Sequence, residues 1–382
     1  MAPKKNPFGA FLMYHKAEAE KKQGRKSITM SELATELAPI WSSMTNEDKQ
    51  YFKNLADKMN RTERTARSKN IPENIKKMHE NSTEYWMMQK YIEKMFQFIT
   101  DEKELLDKKF ILLHVNSHTH SSEHYYFPAE IAAIEFTLKN GVSRTYYQMV
   151  GVSKIYPRGY GGGMREYSDT FHRISCWEDH PDDHKKILLE FLSFLKDGTV
   201  EVRELEEGTL DLPYMYIMES EVGSNMMNAK SSLEKLYETV FPNNAPKSCK
   251  SLFKMGSLER LFHEIIKKFN IHLNRMFIDS GFQLSTHLES DMYGHGLGCS
   301  YHEERDIAYK CSKARVLRWM SNICTFLKKY GKVEIVPGRN VAIMLRDGSR
   351  LIIEDEDIPL TRKQIGMKSI AESYNYNSAD YD

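Results

Sequence analysis

The chain has 382 residues, of which 41% are hydrophobic, and its 54 lysines and arginines nearly balance its 53 aspartates and glutamates. Such a length and composition predict two or three globular domains with a sizeable core. No run approaches ~18 consecutive apolar residues, which excludes a membrane-spanning helix, and the N-terminus lacks the apolar stretch of a signal peptide. Five cysteines are too few for a disulfide framework, which indicates a reducing compartment, cytosol or nucleus.

Charge is distributed unevenly along the chain. Residues 1–70 contain 14 lysines and arginines against 8 acidic residues, a net charge of +6, whereas the remainder carries −5. A basic N-terminal part on a slightly acidic body suggests contact with polyanions. The alternative is a lysine-rich helical surface that is simply solvated.

Three helices are predicted in this basic part. The first spans 7–23, with Pro7 in the first turn and Gly24 after its end. The second begins at the capping box Thr29–Glu32, and the third begins at Thr45. An apolar stripe at helical spacing follows the second start and comprises Leu33, Leu37, Trp41 and Met44.

This pattern resembles an HMG box over residues 2–70, carried by NPFGAFLM (6–13), LATEL (33–37), WSSMT (41–45) and YFKNLA (51–56). HMG boxes bind the minor groove, insert apolar wedges and bend the duplex. The resemblance therefore implies weak, shape-directed binding of DNA or structured RNA. Leu12 and Met30 occupy the wedge positions, although both could equally be ordinary core residues. The predicted phosphate contacts are Lys4, Lys5, Arg61, Arg64 and Arg67.

Residues 71–105 are predicted to form a linker and an amphipathic docking helix at about 84–99. From residue 106 the pattern changes to strands: 110–115, then 131–138 and 142–150 around Asn140-Gly141, a hairpin signal. Helices are predicted at about 182–196, 231–240, 256–269 and 304–330, with a buried strand at 212–218. The order indicates a layered α/β or α+β domain over 106–335, followed by a largely disordered tail at 336–382.

One short segment has the spacing of a metal site. Cys299-x2-His302-x8-Cys311 offers two thiolates and an imidazole, which suit tetrahedral Zn²⁺ but are one ligand short of a closed site. The alternative is that these cysteines are small buried hydrophobes. On a helix over 304–330, Cys311 would lie away from the apolar stripe, which favours the metal.

Two histidine-rich stretches are weaker candidates for metal binding. His114, His118, His120 and His124 crowd a short stretch, but His114 lies in the predicted strand 110–115, and residues 118–124 are interpreted as a polar surface loop between strands rather than a metal site. Residues 177–184 are interpreted as a helix N-terminus whose acidic residues complement the helix dipole.

A second resemblance covers most of the remaining chain. The segment YFPAEI (126–131), the hairpin after it and the Cys299, His302, Cys311 cluster resemble the Maelstrom domain, and an HMG box before that domain is the arrangement of the Maelstrom family. The resemblance implies Glu130 as the fourth ligand. Because four protein ligands leave no position for water, the implied zinc is structural.

The resemblance also implies an α/β, RNase H-like fold related to DnaQ-type exonucleases, which hold two metal ions on carboxylates that begin with Asp-x-Glu on the first strand. We expect the corresponding strand to be 130–136, which contains no aspartate. Glu130 and Glu135 are separated by an odd number, so on a regular strand they face opposite sides. Two-metal nuclease chemistry is therefore not expected.

The family resemblance implies a germline factor of the piRNA pathway that represses transposons in the nucleus and in perinuclear cytoplasmic granules. Its partners would be DNA or structured RNA for the box, single-stranded RNA for the second domain, and piRNA-pathway proteins. Cleavage of single-stranded RNA is associated with this domain, but no catalytic residue can be named. The alternatives are a non-enzymatic scaffold that binds RNA or protein and an architectural chromatin protein that acts through the box.

Overall fold

The computed structural model describes residues 83–119, 127–152, 161–219, 226–242, 252–271, 281–289, 294–345 and 348–352, together with single residues between 8 and 49. The chain divides into two units, Met1–Met78 and His79–Asp382. The domain boundaries predicted at residues 70, 105 and 335 stay predictions.

In the first unit, the described residues form an apolar cluster around Leu12, which is 6% exposed. The rings of Phe8 and Trp41 lie 5.6 Å apart, and Leu37 and Met44 from the predicted stripe pack into the same cluster. The rest of the predicted HMG box lies outside the described residues, so the box stays a prediction.

The second unit is built on a five-stranded sheet in the order β3-β2-β1-β4-β5. The predicted hairpin is confirmed, because β2 pairs antiparallel with β3 around the Asn140-Gly141 turn, and β1 pairs antiparallel with β2. On its other side β1 pairs parallel with β4, and β4 with β5. This mixed sheet fits an RNase H-like fold. The strands are β1 (Phe110–Ser117), β2 (Pro128–Thr137), β3 (Gly141–Met149), β4 (Met215–Ile217) and β5 (Met255–Ser257).

The helices of this unit match most of the sequence predictions within a few residues. The long ones are amphipathic and bury leucine, isoleucine and phenylalanine at helical spacing. The helices are α1 (Thr83–Phe98), α2 (Glu102–Asp107), α3 (Gly161–Phe171), α4 (His184–Lys196), α5 (Val202–Glu206), α6 (Met226–Val240), α7 (Leu258–Lys268), α8 (Gly281–Leu288), α9 (Ser300–Glu303) and α10 (Ser312–Lys329). None of the described helices is long and apolar enough to cross a membrane.

Both faces of the sheet are covered by helices, and every residue of β1 and β2 is buried. On one face, His114 of β1 meets Trp319 of α10, with ring centroids 5.6 Å apart. On the other face, the Tyr146 hydroxyl of β3 donates to the Ile187 carbonyl of α4 at 3.0 Å. Because strand side chains alternate, Glu130 points toward α10, and Glu135 pairs with Arg144 on the α4 side. The prediction that the two carboxylates face opposite sides is confirmed.

The first strand of the sheet is not the one we expected. In chain order it is β1, which lies at the centre between β2 and β4 and reads FILLHVNS. The expectation that residues 130–136 correspond to the first strand of the DnaQ-type fold was therefore wrong. The correction strengthens the conclusion drawn from it, because the central strand contains no carboxylate at all.

The predicted helix over 304–330 was wrong in its first eight residues. A short helix, α9, ends at Glu303, a single 3-10 turn follows at Ala308–Lys310, and α10 begins only at Ser312. Cys311 has extended backbone angles, φ −70° and ψ 131°, and precedes the helix as its N-cap. The helical-wheel argument for Cys311 therefore does not apply.

Two segments at the edges of the domain differ in their agreement with the sequence predictions. The predicted docking helix is present as α1, and Met88, Ile92 and Phe96 bury its inner face. Part of the segment predicted as a largely disordered tail is folded: Val341, Ala342, Ile343 and Ile352 are buried, and a two-stranded hairpin forms from β6 (Ile343–Met344) and β7 (Arg350–Leu351). Residues 353–382 lie outside the described part of the chain.

Candidate metal centre

Four buried side chains from three parts of the chain meet at one point. Glu130 comes from β2, Cys299 from the residue before α9, His302 from α9 itself, and Cys311 from the residue before α10. Their ligand atoms all lie within 4.8 Å of one another, and no side chain of the four is more than 8% exposed. Among the described residues this is the one group of its kind.

The separations within the group match the edges of a metal tetrahedron. Cys299 Sγ lies 3.1 Å from His302 Nδ1, and Cys311 Sγ lies 3.2 Å from Glu130 Oε1. His302 Nδ1 and Glu130 Oε1 are 3.6 Å apart. Bond lengths of about 2.0 to 2.3 Å to zinc give tetrahedral edges of about 3.3 to 3.8 Å. In these three pairs the ligand atoms lie within a few tenths of an ångström of such an edge.

The local backbone brings the two thiols together before any ion binds. Cys299 and Cys311 both precede helices and have extended backbone angles, and the Cys299 N–H donates to Cys311 Sγ at 3.4 Å. The Glu303 carboxylate stabilises residues 296–298, which precede Cys299, by accepting hydrogen bonds from the backbone N–H groups of Gly296 and Gly298 at 2.8 and 2.6 Å. Two close helix starts, and not one continuous helix, therefore set the thiol positions.

Further polar groups fix the orientation of the ligands. Glu130 Oε2 accepts from Asn116 Nδ2 at 2.9 Å and from the Ser312 N–H at 3.0 Å, which leaves Oε1 for the centre. His302 Nε2 lies 3.2 Å from the His172 carbonyl oxygen, so this nitrogen carries the proton and Nδ1 faces Cys299. Ligand histidines and carboxylates in metal sites are held in this way.

The electrostatics of the group favour a bound cation. Hydrogen bonding by the Cys311 thiol lowers the pKa of the Cys299 thiol, and the hydrogen bond with His302 acts in the same direction. Burial raises the pKa of the Cys311 thiol. Burial also lowers the pKa of His302, but the hydrogen bond with Cys299 and the Glu130 charge outweigh it and raise that pKa. Protons on the Cys311 thiol and the His302 imidazole balance the buried negative charge of the group, and a bound divalent ion would replace these protons.

The donor set of two sulfurs, one imidazole nitrogen and one carboxylate oxygen fits zinc. Thiolates with imidazole select zinc among the common divalent ions, and four protein ligands fill its usual tetrahedron. No coordination position then remains for a water nucleophile. A zinc ion held in this way would join β2 to the start of α10.

All four residues named from the sequence meet in the structure. Spacing gave Cys299, His302 and Cys311, and Glu130 followed only from the family resemblance. The supporting groups, Asn116 and the His172 carbonyl, were missed, because the Asn116–Glu130 contact depends on the register of β1 and β2, and His172 lies 130 positions before His302.

Of the first histidine stretch, the structure describes His114, which lies in a strand as predicted, and His118, for which the expected surface position was wrong. His114 and His118 are each 1% exposed, and β1 continues to Ser117, two residues beyond the predicted strand. His114 Nδ1 lies 2.8 Å from Ser312 Oγ, and His118 Nε2 lies 2.8 Å from the Val150 carbonyl oxygen. His120 and His124 lie outside the described residues.

The second histidine stretch precedes a helix, as predicted. Asp183 caps α4 by accepting from the Lys186 N–H at 3.0 Å. His180 and His184 are hydrogen-bonded to the carbonyl oxygens of Ser175 and Gly151, and neither belongs to the metal-type group.

The predicted nucleic-acid contacts of the first unit are mostly outside the described part of the chain. Lys4, Lys5, Met30, Arg61, Arg64 and Arg67 all fall there. Leu12 is described and is buried among apolar neighbours, whereas a wedge that enters a base step must be exposed. Leu12 therefore packs as a core residue, the alternative stated above.

The fold and the centre together define a class: a mixed α/β domain with an RNase H-like sheet, a central strand without carboxylates, and a buried Glu-Cys-His-Cys group. A family model described as "Maelstrom: piRNA pathway germ-plasm component" matches residues 119–342, more than half of the chain. The chain belongs to the Maelstrom family. This membership gives it a germline role in the piRNA pathway, with involvement in transposon silencing and with nucleic acids and piRNA-pathway proteins.

Individual relatives support this membership over most of the chain. Protein maelstrom 2 of Drosophila persimilis is 22% identical over 369 residues, which cover 91% of this chain and 78% of that protein. Protein maelstrom of Drosophila melanogaster is 22% identical over 355 residues, covering 89% and 72%. Protein maelstrom homolog of Culex quinquefasciatus is 23% identical over 339 residues, covering 83% and 62%.

Proposed function

We propose that this chain is a piRNA-pathway factor that engages single-stranded RNA through a zinc-stabilised, RNase H-like domain. Residues 2–70 act as an HMG box on DNA or structured RNA, and the protein works in the nucleus and in perinuclear germ granules. The proposal depends on the buried group formed by Glu130, Cys299, His302 and Cys311. This group connects helix α10 to the sheet of the RNase H-like domain.

The role of zinc in this proposal is structural. When bound, the ion supplies charge neutralisation and a cross-link between β2 and the residues before α10. Glu130 is held by Asn116 and Ser312, and His302 is held by the His172 carbonyl, so the chain presents its ligands in fixed orientations. Structural zinc sites contribute directly to folding free energy.

The positions of the carboxylates in the sheet favour RNA binding without two-metal hydrolysis. The central strand β1 has none. Glu130 belongs to the metal-type centre, and Glu135 is bound on the opposite face by Arg144 at 2.6 Å and by Lys109 at 2.9 Å. Two-metal hydrolysis requires carboxylates that converge on a pair of ions about 3.5 to 4 Å apart. A domain that holds RNA without cutting it by that mechanism fits this arrangement.

The proposal is tested by incubating the full chain with end-labelled single-stranded RNA, with Mg²⁺ or with EDTA. We expect RNA to be bound and to stay intact under both conditions. Replacing Arg61, Arg64 and Arg67 with glutamate is expected to weaken duplex DNA binding and to leave single-stranded RNA binding largely unchanged.

Three outcomes would contradict the proposal. Absence of single-stranded RNA binding would remove the RNA role. Mg²⁺-dependent cleavage that persists through repeated purification would show that two-metal chemistry is present. Metal-independent cleavage that disappears in single histidine or arginine variants would instead establish a ribonuclease of another mechanism.

A further inference from the structure

Helix α1 exposes large apolar side chains on its outer face. Trp86 is 56% exposed, Met87 57%, Tyr91 41% and Phe98 68%, which makes four of the ten exposed large apolar residues in the described part of the chain. The inner face is already buried against the domain, so Trp86, Met87 and Phe98 are not needed to hold the helix. Contiguous exposed apolar surface of this kind marks an interaction site.

Lysines lie within this apolar surface and not at its rim. Lys90 Nζ lies 5.9 Å from the centre of the Trp86 ring, and Lys94 Nζ lies 5.8 Å from the centre of the Phe98 ring. Each lysine is four residues from its aromatic partner, so rings and positive charges alternate along the helix.

The charge balance of this surface is positive. Within the described residues, Lys94 and Lys108 have no ion-pair partner. The nearby carboxylates are occupied, because Glu93 binds Lys90 and Arg260, and Glu84 binds Lys230. Unpaired cations next to neutralised carboxylates attract an anion.

A cavity of about 190 Å³ continues the surface at the base of α1. Tyr91 lines it and stacks on Tyr214, with ring centroids 3.9 Å apart. Its charged lining comprises three cations, Lys108, Lys109 and Arg144, and two carboxylates, Glu135 and Asp197, both of which are paired with Arg144. The cavity is therefore aromatic, with a net positive charge.

We infer that the outer face of α1 and this cavity form a binding surface for single-stranded RNA, an inference that rests on the proposed function. Exposed aromatic rings stack on unpaired bases, and lysines spaced between them meet successive phosphates. A protein partner fits less well, because it would bury Lys94 beneath an apolar contact without a charge to pair it. A single strand supplies both a π-face and an anion at each nucleotide.

This surface is separate from the metal centre. The cavity includes Phe110 at the start of β1, whereas Asn116, which supports Glu130, lies near the end of the same strand. Six residues of extended strand separate the two positions by about 20 Å. Variants of the RNA surface therefore leave the metal ligands untouched.

The test measures binding of a fluorescein-labelled oligouridylate of about 12 nucleotides to the full chain by anisotropy, over a range of salt concentrations. K94E/K108E is expected to weaken binding about tenfold and to reduce the slope of log K against log salt by about 1.4. W86A/F98A is expected to weaken binding at least about fivefold. Matched controls are K185E for charge and W177A for an aromatic residue, which is 74% exposed; both should bind as the wild type does.

A second readout locates the contact without relying on affinity. Photo-crosslinking with 4-thiouridine in the same oligonucleotide, followed by tryptic mass spectrometry of the full chain, is expected to modify peptides 78–90, 91–94 or 95–103. If wild-type protein binds the RNA but both double variants bind it equally well and these peptides stay unmodified, the surface belongs to another class of partner and the inference is wrong. If the wild type does not bind the RNA, the proposed function fails as well.

Discussion

Replacing Cys311 with serine is expected to release the zinc and lower the melting temperature by more than about 10 °C. Cys311 is fully buried, and its Sγ lies 3.2 Å from Glu130 Oε1. A serine hydroxyl is a poor zinc ligand, so the variant leaves Glu130 and Cys299 as buried groups without their counter-ion. Losing about 5 kcal/mol in a domain of this size shifts the melting temperature by about 10 to 20 °C.

The matched control for this variant lies on the helix that follows Cys311. Cys324 of α10 is equally buried and is not part of the metal-type group. Cys324→Ser also exchanges a buried thiol for a hydroxyl, so it is expected to retain one zinc per chain and to lose only about 1 to 2 kcal/mol. Zinc content by mass spectrometry and melting by calorimetry measure both. Equal zinc content in the two variants would contradict the assignment of Cys311 as a ligand.

The second large effect is expected from Gly141→Ala in the turn between β2 and β3. Gly141 has φ +77°, and a Cβ atom there would collide with the backbone carbonyl of Arg339. That backbone cannot easily retreat, because the Asn340 carboxamide donates to the Leu138 and Glu334 carbonyl oxygens at 3.1 and 2.9 Å. We expect a loss of about 4 kcal/mol or more, measured by denaturant unfolding.

Gly208→Ala separates the two causes of that loss. Gly208 has φ +65°, but nothing lies within 4 Å of the place where its Cβ would be. This control carries only the conformational penalty of a left-handed residue, about 1 to 2 kcal/mol. If Gly141→Ala destabilises no more than Gly208→Ala, the close packing of residues 334–341 on the hairpin turn is not rigid in solution.

Periodicity predicted the parts of the fold in which local signals agree. The hairpin was found because two β-rich runs flank Asn140-Gly141, and α4 was found because its apolar residues recur at helical spacing after acidic residues that complement the helix dipole. These signals lie within a few residues of one another and do not depend on the rest of the chain.

Periodicity failed where tertiary contacts decide the structure. The run over 304–330 has helical composition throughout, but the extended backbone at Cys311 divides it, and this conformation places the thiol beside Glu130. Similarly, nothing in the stretch around His114 and His118 shows that β1 occupies the centre of the sheet. His114 is buried because α10 packs on its face of the sheet, and His118 is buried just beyond the end of β1.

The sequence predicted only those residues of the candidate centre that lie close together along the chain. Cys299, His302 and Cys311 lie within thirteen residues, so their spacing alone indicates a metal. Glu130 lies 181 positions before Cys311, and only a family resemblance could connect it. Its supporting hydrogen bonds from Asn116 and Ser312 follow from the sheet register and the start of α10, which the sequence does not state.

X-ray absorption at the zinc edge of the purified full chain tests the central claim most directly. The account predicts one zinc per chain, with two sulfur ligands at about 2.3 Å and two nitrogen or oxygen ligands at about 2.0 to 2.2 Å. In Glu130→Gln the two sulfur ligands should remain while the nitrogen and oxygen shell changes. A shell without sulfur, or protein that holds no zinc and melts at the same temperature with or without a chelator, would contradict it.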